Sequence, residues 1–207
     1  MKNLNKHFTA ITKKTDSRPI LGGVHFQADR NKLVAIDGHR MLETDFIGEI
    51  KNDMVLNINT MQEIDGRYPA TNRIIEGAIE TNQSNRVHLL RNAFSKDNVK
   101  ILTSFKKSIA VLTIDKDKMT IGFQENNSSV ITSPVSIELA VSSSEIVNHT
   151  AIFCKCEYLR DCFAFVCDYL SDCTRETIEF NYSTATKPFV VSSIDFTYLI
   201  APIRKNR

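Results

Sequence analysis

The stretch Leu33–Met41, reading Leu-Val-Ala-Ile-Asp-Gly-His-Arg-Met, constrains the fold of this chain more than any other. Its first half is an apolar run of β-formers, which predicts a buried strand. Asp37-Gly38 then breaks the run, since glycine tolerates positive φ and aspartate closes a turn with its own side chain. By itself the pair reads as a hairpin turn. His39, Arg40 and Met41 follow at once, so two polar side chains and an apolar one leave the sheet at one point.

The pattern on either side predicts a mixed chain. Asn3 to Lys13 reads as a helix, with Leu4, Phe8 and Ile11 on its apolar face and Lys2, Lys6, His7, Lys13 and Lys14 elsewhere. By itself that basic face reads as a solvated one. Ile20–Ala28 and Leu33–Phe46 form a hairpin around the polar turn Asp29-Arg30-Asn31-Lys32, and Met54–Ile58 is a short strand. Further on, Gly77–Gln83 reads as a strand or linker and Asn85–Lys96 as a helix with Val87, Leu90 and Phe94 inward. Val99–Phe105, Ser108–Asp115 and Met119–Glu125 read as a meander, with Lys116-Asp117-Lys118 as one connecting turn. Val130–Val141 supplies one long strand or two, and Ile152–Lys155 a short one. Ile178–Tyr182, Phe189–Ser193 and Tyr198–Ile203 complete the sheet.

The five cysteines, Cys154, Cys156, Cys162, Cys167 and Cys173, are crowded together and invite a zinc reading. They contain no Cys-x-x-Cys pair, and their spacing fits no usual zinc module. Leu159, Cys162, Phe163, Val166, Cys167 and Leu170 instead follow the i, i+3, i+4, i+7 rhythm of one amphipathic helix, where cysteine serves as a small hydrophobe. With no secretion signal, disulfides are not expected. No metal site and no cofactor is expected.

Catalysis finds little support. The seven glycines form no phosphate-cradling loop. His7, His25, His39, His88 and His149 are scattered without metal spacing. A thiol hydrolase built from Cys156 or Cys162 with His39 and Asp37 can be drawn, but no local pattern pairs them. The expectation is a protein that is not an enzyme. No apolar run is long enough to span a membrane, so the default is a cytoplasmic protein without a membrane partner. A formal net charge of +2 also argues against a strong autonomous DNA binder.

Three segments, in order, carry a resemblance. Ser17-Arg18-Pro19-Ile20-Leu21-Gly22-Gly23-Val24-His25-Phe26, with Leu33–Met41, resembles the middle domain of the bacterial DNA polymerase III β subunit, the replicative sliding clamp. Asp65-Gly66-Arg67-Tyr68-Pro69 resembles the loop before that family's last domain. Tyr198-Leu199-Ile200-Ala201-Pro202-Ile203-Arg204 resembles its carboxyl-terminal tail. The resemblance implies an α+β DNA clamp fold, with helices on the inner face of antiparallel sheets. Residues 1–75 would be an abridged clamp domain, because only Ile47–Ile64 separates the hairpin from the Asp-Gly-Arg-Tyr-Pro loop. Residues 76–207 would be a complete one.

The resemblance also implies a function: a processivity factor whose chains form a homo-oligomeric ring around duplex DNA, independent of sequence. DNA polymerase and clamp loader would bind it through short linear motifs. The peptide pocket would have one wall of Leu21, Ile36, Gly38, His39, Arg40 and Met41, and a second of Pro69, Arg73 and Ile74. Leu199, Ala201, Pro202, Ile203 and Arg204 would form the third. Ala201 is smaller than the family's pattern implies, and Lys205-Asn206-Arg207 extends past the usual end. Lys6, Lys13, Lys14, Arg18, Arg86 and Arg91 would face DNA phosphate. The abridged first part leaves an alternative open: a clamp-derived decoy that regulates clamp-binding proteins without encircling DNA.

Overall fold

The computed structural model describes residues 4–13, 18–115, 118–125, 135–147 and 151–204. Its frame is a 12-stranded sheet in which every pairing is antiparallel. The strands are β1 (Val24–Gln27), β2 (Lys32–Ile36), β3 (Arg40–Asp45), β4 (Met54–Leu56), β5 (Asn85–Leu90) and β6 (Ile109–Ile114). They continue as β7 (Lys118–Gln124), β8 (Ile137–Ile146), β9 (Ile152–Lys155), β10 (Thr177–Tyr182), β11 (Phe189–Ser193) and β12 (Phe196–Ile200). Their order across the sheet is β4-β1-β2-β3-β12-β11-β10-β5-β8-β7-β6-β9. The last strand of the chain therefore pairs with β3 of the first part.

Four α-helices are described: α1 (Leu4–Thr12), α2 (Thr71–Thr81), α3 (Lys96–Ser104) and α4 (Cys156–Ser171). Helix α4 packs against both α1 and α3, so these three form one layer on one face of the sheet. One core lies under them, joining Phe8 and Ile11 of α1 to Leu42, Val87, Leu102, Leu159, Phe163 and Val166. The apolar stripe predicted for the cysteine helix is this buried face, with Cys162 inside it and Cys167 half-buried. Of the four described α-helices, α2 is the one on the opposite face.

The central turn forms as its residues dictate. Gly38 adopts φ +87°, and Asp37 Oδ1 accepts the backbone N–H groups of His39 and Arg40. β2 and β3 emerge from it in register, Ile36 opposite Met41.

Three expected elements differ. Asn85–Leu90 is a strand, not a helix: Val87 and Leu89 point into the core while Arg86 is exposed, a period of two. Arg91–Phe94 is a 3-10 turn, and helix α3, starting at Lys96, runs through Val99–Ser104, where a strand was expected. Ser95 marks that start by accepting the N–H of Asn98 at its Oγ, 3.2 Å away. Gly77–Gln83, read as a strand or linker, is mostly the second half of α2. The expected boundary after residue 75 falls inside the same helix. Residues 116 and 117 of the expected turn and the start of the Val130–Val141 strand lie outside the described residues.

Both end strands of the sheet carry a cover. The Ile64 N–H donates to Val55 O of β4 at 2.8 Å, and the Ile203 N–H donates to Phe153 O of β9 at 2.6 Å. No described helix is long and apolar enough to cross a membrane.

Candidate functional site

The expected pocket residues fall into a buried cluster and a rim. Leu21, Ile36, Met41 and Leu199 do meet, in an apolar cluster with Val34 and Val190 on the α2 face of the sheet. All are 9% exposed or less, because Ile75 and Ala78 of α2 pack down on them. Tyr68 packs against the cluster, and its hydroxyl donates to Val34 O at 3.3 Å. Ile75, Ala78 and Tyr68 were absent from the sequence-based set. The i, i+3 spacing of Ile75 and Ala78 was the signal for a helix there, and Gly77 between them obscured it.

Around this roofed cluster, Gly38, His39, Arg73, Ile74 and Arg204 are exposed, while Pro69, Ala201, Pro202 and Ile203 are half-buried. The tail is held in place by its backbone: the Ala201 N–H donates to His39 O at 2.7 Å. The His39 ring lies 5.8 Å from that of Tyr158 at the start of α4.

Arg40 is a correction. It was expected in the pocket wall, yet it is 1% exposed and lies on the other face of the sheet. Neighbouring residues of a strand point to opposite faces, so Met41 entering the α2 cluster sends Arg40 towards α1 and α4. There its guanidinium donates to Asp37 at 2.9 Å, to Asp161 of α4, and to the Ala10 carbonyl of α1 at 2.7 Å. Its carbon also sits 4.7 Å from the Tyr158 ring centroid. Two of these three bonds tie the sheet to the helix layer, and the third closes the turn at Asp37.

The cations expected to face DNA divide as well. Lys6 and Lys13 on and just after α1, and Arg18, are exposed. Lys6 pairs with Asp168 of α4, and Lys14 lies outside the described residues. Arg86 is a second correction: it lies on the face opposite the three helices, paired with Glu179 at 3.1 Å. Arg91 is a third. Its guanidinium donates to the carbonyls of Leu170, Cys173 (2.9 Å) and Arg175 (3.0 Å), which caps the end of α4. The exposed Lys96, Lys100 and Lys106, on α3 and the turn after it, were missed because that segment was read as the end of a helix followed by a strand. Lys100 pairs with Asp97 at 2.9 Å, a solvent-screened contact of little strength.

The layer also contains His7, buried between α1 and α4, with Nε2 3.0 Å from Asp168. Burial holds its pKa below the ordinary histidine range despite that carboxylate, so the neutral ring donates its Nε2–H. Hydrogen bonds from Lys6 and His7 outweigh burial at Asp168 and lower its pKa. The buried thiols are held protonated by position: burial pushes Cys156 up to about 12 and Cys162 well above its ordinary value. Among the described residues, no cluster of three or more His, Cys, Asp or Glu side chains could hold a metal.

No protein-family model matches the sequence, and no curated protein matches it. Solved structures do. The DNA polymerase sliding clamp of Bacillus subtilis aligns with a TM-score of 0.71 at 16% identity, over 98% of this chain and 63% of that one. A putative DNA polymerase III β subunit from Eubacterium rectale gives 0.70 at 16% identity, over 98% and 63%. The β subunit of Thermotoga maritima gives 0.66 at 18%, over 98% and 64%. The chain has the sliding-clamp fold and spans just under two thirds of the length of these proteins.

Proposed function

We propose that this protein is a sliding-clamp-type processivity factor in the cytoplasm, acting as a tether and not as an enzyme. Residues 1–75 serve as an abridged clamp domain and residues 76–207 as a complete one. Several copies close into a ring larger than a dimer around duplex DNA. The observation that carries this reading is the separation of two faces. Lys13, Lys96, Lys100 and Lys106 are exposed on or beside the helix layer, while the apolar cluster and its rim lie on the other side of the sheet. Lysines so placed attract phosphate without reading sequence. A topological link then replaces tight binding and keeps a polymerase at high local concentration. The rim of Gly38, His39, Ile74, Pro202 and Ile203 would take the first contact with a polymerase or loader motif. Deeper entry requires α2 to lift from Ile36, Met41 and Leu199.

Light scattering in solution, with retention on nicked circular versus linearised DNA, tests the proposal. A closed oligomer retained on the circle and lost from the linear form supports it. DNA affinity should fall with salt at a slope of about −0.9 per phosphate neutralised. A strict monomer overturns the ring.

One observation favours a second reading. Ile64 and Ile203 occupy outward-facing carbonyls of the sheet's two end strands, where edge-to-edge pairing between chains would start. A monomer that binds polymerase-derived peptides without retaining DNA would be a decoy or regulator of clamp-binding proteins.

A further inference from the structure

On the helix side of the sheet, Phe26, Leu33, Thr44 and Phe196 are successive cross-strand partners, one row across β1, β2, β3 and β12. They floor a cleft of about 650 Å³ between the start of α1 and the second half of α4. Over the second part of the chain the same layer holds α3 and α4 side by side. Over the first part the described helix is α1, and the cleft lies between it and the end of α4.

Three features describe what would fill it. The mouth is apolar beyond the cleft itself: Ile47 is 89% exposed and Met61 58%, and Ile194, one residue before the lining Asp195, is 73% exposed. Thr44 is only 6% exposed, yet its hydroxyl has no hydrogen-bond partner among the described residues, a desolvated group left for an occupant to satisfy. The charged residues among the described lining are carboxylates, Asp45 and Asp195, with no lysine or arginine among them. The Asp195 carboxylate accepts the Tyr169 hydroxyl at 2.8 Å and has no cation partner among the described residues, while Lys32 holds Asp45 at 2.7 Å.

We propose that this cleft receives an amphipathic helix of a partner protein, with bulky apolar residues on one face and lysine or arginine on its flank. The apolar face covers the Phe26–Phe196 row and the exposed Ile47 and Met61, and a cation meets Asp195. A polar side chain on the same helix completes Thr44. A helix fits where a strand does not. Every floor strand is paired on both sides, and Ile64 covers β4, so no ladder is open for β-augmentation. Seated there, it becomes the second helix of the layer over the first part.

The test uses the full chain and a fluorescein-labelled leucine–lysine amphipathic peptide, read by anisotropy. Saturable binding is expected, and the leucine–glutamate counterpart should bind far more weakly. The double variant I47K/M61K changes only exposed side chains and should weaken binding at least about tenfold. D195N should weaken it several-fold, and I79K, on exposed α2 across the sheet, should leave it unchanged. Equal binding to wild type and I47K/M61K overturns the proposal, as does equal binding of the two peptides. It is also overturned if the peptide fails to bind while wild type self-associates and I47K/M61K does not, since the occupant is then a second copy.

Discussion

The two parts of this chain share one sheet and cover it differently. From β5 onward, α3 and α4 cover the helix face of the sheet side by side, and their core-facing residues Leu102, Phe163 and Val166 are shielded from water. Before β5 a single helix leaves an apolar row beside an open cleft, with Ile47 and Met61 in solvent. On the opposite face of the sheet the first part has the opposite character, since α2 roofs the cluster at Met41 and Leu199. The same alternating pattern of apolar residues thus yields a finished core, an open cleft or a sealed patch. What differs is whether a helix is supplied to cover it.

The comparison is broken most severely at the residue that joins the parts. Arg40→Leu should destabilise the fold by about 3–5 kcal/mol, because Asp37 Oδ2 and Asp161 Oδ2 lose their guanidinium partner, leaving Asp37 its backbone N–H bonds and Asp161 its contact with Arg160. Urea titration reads this directly, and a loss below about 1 kcal/mol would show that the ion pairs do not hold the layer. Phe163→Ala, on the buried face of α4 and 4.8 Å from Phe94, should also cost about 3–5 kcal/mol. Phe46→Ala beside the cleft should cost clearly less, since that half-buried ring is already partly hydrated. Equal losses would mean that the cleft is as well packed as the core.

A smaller effect follows from His7. Its folded pKa lies below its unfolded value, so the unfolded chain binds the proton first. Stability is therefore full above about pH 6.5 and declines as pH falls through that unfolded value towards the folded one. Asp168, also lowered on folding, adds a second loss only in the acid range below the ordinary carboxylate pKa. His7→Gln should flatten the first decline and spare the second. An unchanged slope between pH 7 and 5, measured by denaturation, would remove His7 from the α1–α4 contact. Smallest of all, Ile47→Lys should change stability by no more than about 0.5 kcal/mol, because its side chain meets solvent. A larger loss would mean that the residue is packed and the mouth of the cleft is closed.

Local chemistry made a definite share of this protein legible from its residues. The Asp37-Gly38 turn, the hairpin it closes and the apolar stripe of α4 depend on neighbours a few positions apart, so sequence spacing decides them. The meeting of Leu21, Ile36, Met41 and Leu199 was legible through the resemblance of their segments. Tertiary structure decided the rest, because it turns on partners far along the chain. Val87 and Leu89 fit a helix or a strand until β10 and β8 flank them. Arg91 read as a cation for phosphate until the end of α4 offered it three carbonyls. Arg40 was assigned to the face of its neighbour Met41, and the pleat placed it on the other. A strand's period fixes which residues share a face, but only the packed fold decides which face is covered, by what, and which is left to water.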